Sequence, residues 1–183
     1  MRILALACLL AVSHGAAASE ALWALLKGGG QVVLMRHAVT TPGVGDPAGV
    51  RLEDCGTQRN LTDEGRRHAE RIGREFRSRG IPVREVHSSP WCRCIETARL
   101  AFGGTRVHAS LGNLFGRPES RDSQVASPKK DLLKPGRGDN LVLVSHGSTI
   151  QALTGISPGT GGMVVVTPQG GGRFALAGSL EVE

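Results

Sequence analysis

Two histidines stand where short apolar runs end. Leu34-Met35 leads into Arg36, His37 and, three residues on, Thr40, while Leu141 to Val144 leads through Ser145 to His146 and Gly147. A third run, Val83 to His87, ends at the turn Ser88-Ser89-Pro90 and opens a helical pattern from Trp91 to Phe102, with Pro90 suited to the first helical position. Arg93 then falls in the first turn, beside free backbone N–H groups and the positive end of the helix dipole, both of which favour an anion. Guanidinium groups give forked, charge-assisted hydrogen bonds to phosphoryl oxygens. A neutral imidazole can attack phosphorus. The chemistry these residues predict is phosphoryl transfer: His37 forms a phosphohistidine that water hydrolyses, while Arg36, Arg93 and His146 hold the oxygens. It calls for no metal and no cofactor.

Such residues can act together only if the chain brings them to one place. In open α/β sheets the ligand crevice lies outside the carboxyl ends of the strands, and all three segments leave a strand-like run. Gln31 to Met35, Val83 to His87 and Leu141 to Val144 read as strands, the last apolar enough to be central. Glu20 to Lys27 reads as a short helix ended by glycines. Thr62 is a good N-cap for a helix that buries Ala69, Ile72 and Phe76 and stops at Gly80. Ile95, Ala98, Leu100 and Phe102 are the core positions expected of the next helix. Thr41 to Asn60 has no period and reads as a long loop. Arg106 to Ala109 reads as a short edge strand, Gly112 to Asn140 as irregular chain, and Ser148 to Leu153 as a short helix. Met163 to Thr167 and Phe174 to Ala177 read as a hairpin. The fold class expected is an α/β three-layer sandwich with a mostly parallel central sheet flanked by helices.

Composition narrows the partners. With 40% hydrophobic and 21% charged residues, the 183-residue chain suits one globular domain. Aromatics make up 3% and tyrosine is absent, so base-stacking surfaces have few rings to build from and nucleic acid is not an expected partner. Residues 1–18 combine Arg2, an apolar stretch and Ala16-Ala17-Ala18, the layout of a signal peptide, which leaves 19–183 as the domain and predicts a periplasmic or secreted protein. That stretch is too short to span a bilayer. In an oxidising compartment Cys55 can pair with Cys92 or Cys94, whereas a Cys-x-Cys metal site lacks a nearby histidine. The arginines from Arg66 to Arg79 read as one solvated helix face. His68, His87 and His108 read as surface or loop residues, Trp91 as packing, and Arg59 by default as a solvated arginine, with closure over a phosphate from the loop as its other reading.

The segments LMRHAVT, SSPWCRCIETA and LVSHG, with NLTDEGRRHA between the first two, resemble in type and order the signature segments of the histidine phosphatase superfamily. The resemblance spans Val32 to Thr149. It implies the sandwich above, His37 as phosphorylated nucleophile, Arg36, Arg93 and His146 as phosphate ligands, and Thr40 as a residue that touches phosphate or shapes the loop. Two positions depart from the pattern. Ala38 replaces a usual glycine, and Asn113 stands where many members carry an acidic proton donor. The general acid is therefore unassigned, with Asp46, Asp54, Glu119 and Asp122 as the carboxyls to consider. The expected partner is a phosphorylated small molecule or an envelope glycolipid phosphate. A weakly active or inactive phosphate-binding protein of the same fold is the alternative. A mutase is the third reading, disfavoured by export.

Overall fold

Strand β1 (Val32–Arg36) has no polar residue before its last, as expected of a strand covered on both faces. The computed structural model describes residues 7–115, 125–126 and 138–183 and sets β1 inside a six-stranded sheet. With β2 (Val83–Ser88), β3 (Arg106–Val107), β4 (Asn140–Ser145), β5 (Met163–Gly170) and β6 (Arg173–Leu180), the order is β3-β2-β4-β1-β5-β6. The first four in that order run parallel, and the β5–β6 hairpin adds on antiparallel.

Period-two alternation divides the core. Val33, Met35, Val142, Val144, Met163 and Val165 face one way and pack with Leu22, Trp23, Leu26, Ile72, Phe76 and Ala98. These come from α1 (Ala7–Lys27), α2 (Asp63–Ser78) and α3 (Cys92–Phe102). Val32, Leu34, Leu141, Leu143, Val164 and Val166 face the other way and meet Leu111 with Ile150 and Leu153 of α4 (Gly147–Thr154). The molecule is an α/β sandwich with a mostly parallel sheet, as the sequence predicts.

Local signals explain where elements begin and end. The Thr62 hydroxyl accepts the Gly65 N–H at 3.0 Å and starts α2. Gly65 lies so close to the chain leaving β1 that an added Cβ would come within 2.0 Å of the Val39 oxygen, which seats α2 on that exit. Gly103 ends α3 with a left-handed φ of 83°, a conformation glycine adopts at little cost.

The structure corrects several expectations. The helix read as Glu20 to Lys27 continues back to Ala7, because the Ala- and Leu-rich segment before it is itself a strong helix former. Among the described residues no helix is long and apolar enough to cross a membrane. Pro90 is not the first helical residue; Trp91, with extended ψ of 134°, is the N-cap and α3 starts at Cys92. Within α3, Ile95, Leu100 and Phe102 are half-buried, while Arg93, Thr97 and Ala98 are buried. His87 is neither surface nor loop: it lies buried on β2 with Nε2 2.9 Å from Glu85.

Candidate active site

Pairing in the parallel half fixes the site. Arg36 of β1 is in register with Ser145 of β4, so His37 and His146 emerge side by side, their ring centroids 5.5 Å apart. The His37 N–H donates to the Ser145 carbonyl at 3.0 Å, and the Ser89 N–H, from the turn after β2, donates to the Val144 carbonyl at 2.9 Å. Arg93, one residue into α3, is 1% exposed. Arg36, His37, Arg93 and His146 line one cavity of about 630 Å³. A second cavity of about 650 Å³, between α2, α3 and β2, holds none of the four.

Hydrogen bonds set the state of each ring. His37 Nδ1 is 2.8 Å from the Ala38 carbonyl, which can only accept, so Nδ1 carries the hydrogen and Nε2 keeps a lone pair. His146 Nδ1 faces an Arg93 Nη2 donor at 3.4 Å, and its Nε2 meets Ser89 Oγ at 2.8 Å. Trp91 stacks under the Arg93 guanidinium at 4.7 Å and packs edge-on against His146, fixing both. Burial, then the nearby arginines, pushes His37 down to about 3 despite the opposing Ala38 hydrogen bond. Burial, His37 and the same arginines hold His146 well below the ordinary histidine range. Both imidazoles are neutral at pH 7.

Positive charge is concentrated on the cavity floor. Arg36 Nη1 donates to the Pro158 carbonyl at 3.0 Å, and Gly147, at the start of α4, leaves room for that guanidinium. Arg59 is no solvated side chain: it lines the same cavity, half-buried. Its backbone N–H donates to Asp46 at 3.1 Å, and its carbonyl accepts from Arg93 at 3.3 Å. The Nε atoms of Arg36, Arg59 and Arg93 are all buried with no hydrogen-bond partner among the described residues. Three arginines lining one pocket concentrate positive charge suited to an anion.

Asp46 holds the Arg93 fork. Its carboxylate accepts from Nη1 at 2.7 Å and Nη2 at 3.1 Å. Asp54, by contrast, caps the short 3₁₀ turn Cys55–Thr57 and pairs with Arg51, away from the cavity. Glu119 and Asp122 lie outside the described residues. Asn113 lines the cavity and accepts a hydrogen bond from Ser148 Oγ at 2.9 Å. Thr40 bridges Leu61 across the loop ends and shapes the loop; it is not among the residues lining the cavity. Ala38 fits without strain, since among the described residues none other than glycine has a positive φ, and its N–H donates to Thr97 Oγ1 at 3.0 Å.

A disulfide resolves the cysteines. Cys55 pairs with Cys92, their Cα atoms 5.7 Å apart, and Cys94 stays free and buried. Gln58 reinforces the tie by accepting the Cys92 N–H at 2.9 Å. The sequence reading missed Ser89 and Gln58. An SSP turn before an α-helix hints at Ser89, but Gln58 carries no signal.

Residues 32–112 match the family model of the histidine phosphatase superfamily, branch 1. No curated protein matches the sequence. Among solved structures, the fold is similar to a phosphoserine phosphatase mutant from Entamoeba histolytica in complex with phosphoserine, at 19% identity and TM-score 0.59, covering 81% of this chain and 95% of that one. It is also similar to the protein histidine phosphatase SixA complexed with tungstate, at 15% identity and TM-score 0.55, covering 82% and 96%. A mycobacterial glucosyl-3-phosphoglycerate phosphatase gives 18% identity and TM-score 0.56, covering 80% and 96%.

Proposed function

We propose that this chain, a member of the histidine phosphatase superfamily and a phosphatase, hydrolyses a phosphomonoester in two steps through a phosphohistidine on His37, without a metal. The observation that carries the reading is the bare Nε2 of a neutral His37 in a cavity that Arg36, Arg59, Arg93 and His146 also line. In the first step Nε2 bonds to phosphorus and the P–O bond to the leaving group breaks, the electron pair going to that oxygen. Water then attacks the phosphohistidine, breaks the P–N bond and releases inorganic phosphate. Arg36, Arg93 and His146 hold the equatorial oxygens, where charge develops.

Asp46 is the one carboxylate among the described residues lining the cavity. A phosphoryl group that takes the Arg93 fork displaces it. Once displaced, Asp46 is the cavity's candidate for the general acid that serves the leaving oxygen, the role Asn113 cannot fill. Asp46 on that fork is equally what favours the second reading, an inactive phosphate binder of the same fold. Hydrolysis of p-nitrophenyl phosphate, whose leaving group needs no acid, separates the two. The wild type is expected to release phosphate, and His37→Ala to lose at least ~10³-fold in turnover. Phosphate binding without turnover selects the binder, and activity within tenfold in the variant removes His37 as nucleophile.

The protein is exported in this reading, with residues 1–18 removed, and meets phosphorylated small molecules or envelope glycolipid phosphates. One feature supports it: the Cys55–Cys92 disulfide suits an oxidising compartment. Sequencing the N-terminus of the exported protein is expected to read from Ser19.

A further inference from the structure

One part of the cavity plays no role in gripping phosphate. Phe115 and Val44 line it, from two different loops, yet are 83% and 52% exposed. Single exposed apolar side chains are ordinary on a protein surface. Here two line one pocket together with Arg36, Arg59, Arg93, His37 and His146. Phe115 is also held in place. Asn113 Oδ1 accepts both Ser148 Oγ, from the first turn of α4, at 2.9 Å and the Phe115 backbone N–H at 3.1 Å. Asn113 thus ties the Phe115 backbone to the start of α4.

Resting on the phosphatase reading, we propose that the substrate is a phosphomonoester whose leaving group carries an apolar body, seated against Phe115 and Val44 while its phosphate reaches Arg36, Arg59 and Arg93. The arrangement divides the ligand by polarity: the dianion goes down to the guanidinium groups, and the apolar portion covers side chains that otherwise face water. Burying apolar surface on both partners makes affinity rise with the length of the apolar group.

Ethyl, butyl and octyl phosphate test this, because the acidity of the ester oxygen barely changes along the series while the apolar area grows. Their dissociation constants, measured by calorimetry below micelle-forming concentrations, are expected to fall by about tenfold or more from ethyl to octyl. In Phe115→Ala that ratio is expected to shrink to about threefold or less, and Phe115→Leu to restore most of it. Phe115 is exposed, so neither variant threatens the fold. Equal affinities along the series, or an unchanged ratio in Phe115→Ala, overturn the proposal. A protein that shows the gradient but never turns over p-nitrophenyl phosphate loses the phosphatase reading and keeps the apolar subsite; one that turns it over with no gradient does the reverse.

Discussion

The parallel half of the sheet and the β5–β6 hairpin are built to different rules. Every residue of β4 is buried, whereas β6 alternates toward solvent and buries only Leu180. Candidate catalytic groups cluster where β1, β2 and β4 end, and the hairpin carries none of them. Its part is to close the other side of β1: the Arg36 N–H donates to Gly162 at 2.9 Å, and the Gly161 N–H donates to the His37 carbonyl at 3.0 Å. Parallel strands release their chains at the same edge, so distant residues meet there. An antiparallel edge strand returns its chain and offers no such convergence.

That contrast is most exposed by substitution in the two strands. Leu143→Ala, in the fully buried centre of β4, is expected to cost about 2–5 kcal/mol in denaturant unfolding. Leu176→Ala, half-exposed on β6, is expected to stay within about 0.5 kcal/mol. Equal costs would break the comparison.

A second difference lies in how loops are tied. The hairpin is held by its own ladder, but the loop after β1 is held to α3 by a disulfide spanning 37 positions. Replacing both Cys55 and Cys92 with serine is expected to remove about 3 kcal/mol of stability, by releasing chain entropy in the unfolded state. It should also weaken inorganic phosphate binding, since Arg59 and Asp46 ride on that loop. A variant with wild-type phosphate affinity would show that the loop holds its shape unaided.

A smaller effect than the loss of the disulfide is expected on the pH dependence that the two histidines at the strand ends impose. Both histidines are depressed in the folded protein relative to an unfolded value near 6.5. The unfolded chain therefore binds more protons below that pH. Their stabilising contribution is complete above about pH 6.5 and is lost progressively as pH falls toward 3. For His37, about 1–2 kcal/mol should be gone by pH 5, and His37→Asn should flatten the profile by that amount.

Much of this was legible in the sequence because each candidate residue follows a strand signal. Arg36-His37, Arg93 and His146 are placed by a single rule, that open sheets gather function at their carboxyl edge. Thr62 and Gly80 mark α2 by capping chemistry that depends on neighbours only. The contacts that cross the long loop were not legible. Asp46 reaches Arg93 over 47 positions, and Arg59 turns inward, because the disulfide and Gln58 fold that loop back. A stretch without periodicity gives no sign of which side chains it presents. The start of α1 was missed for the opposite reason, since helix-forming residues continue through the segment expected to be cleaved.

The sheet order also governs when the site can come into being. β4 enters between β2 and β1, and it arrives late in the chain with His146 just behind it. Until residue 145 has threaded into that gap, the two outer strands have no common neighbour and the first histidine has no companion. A chain halted before that point lacks the β1–β4 pairing that sets the two imidazoles side by side.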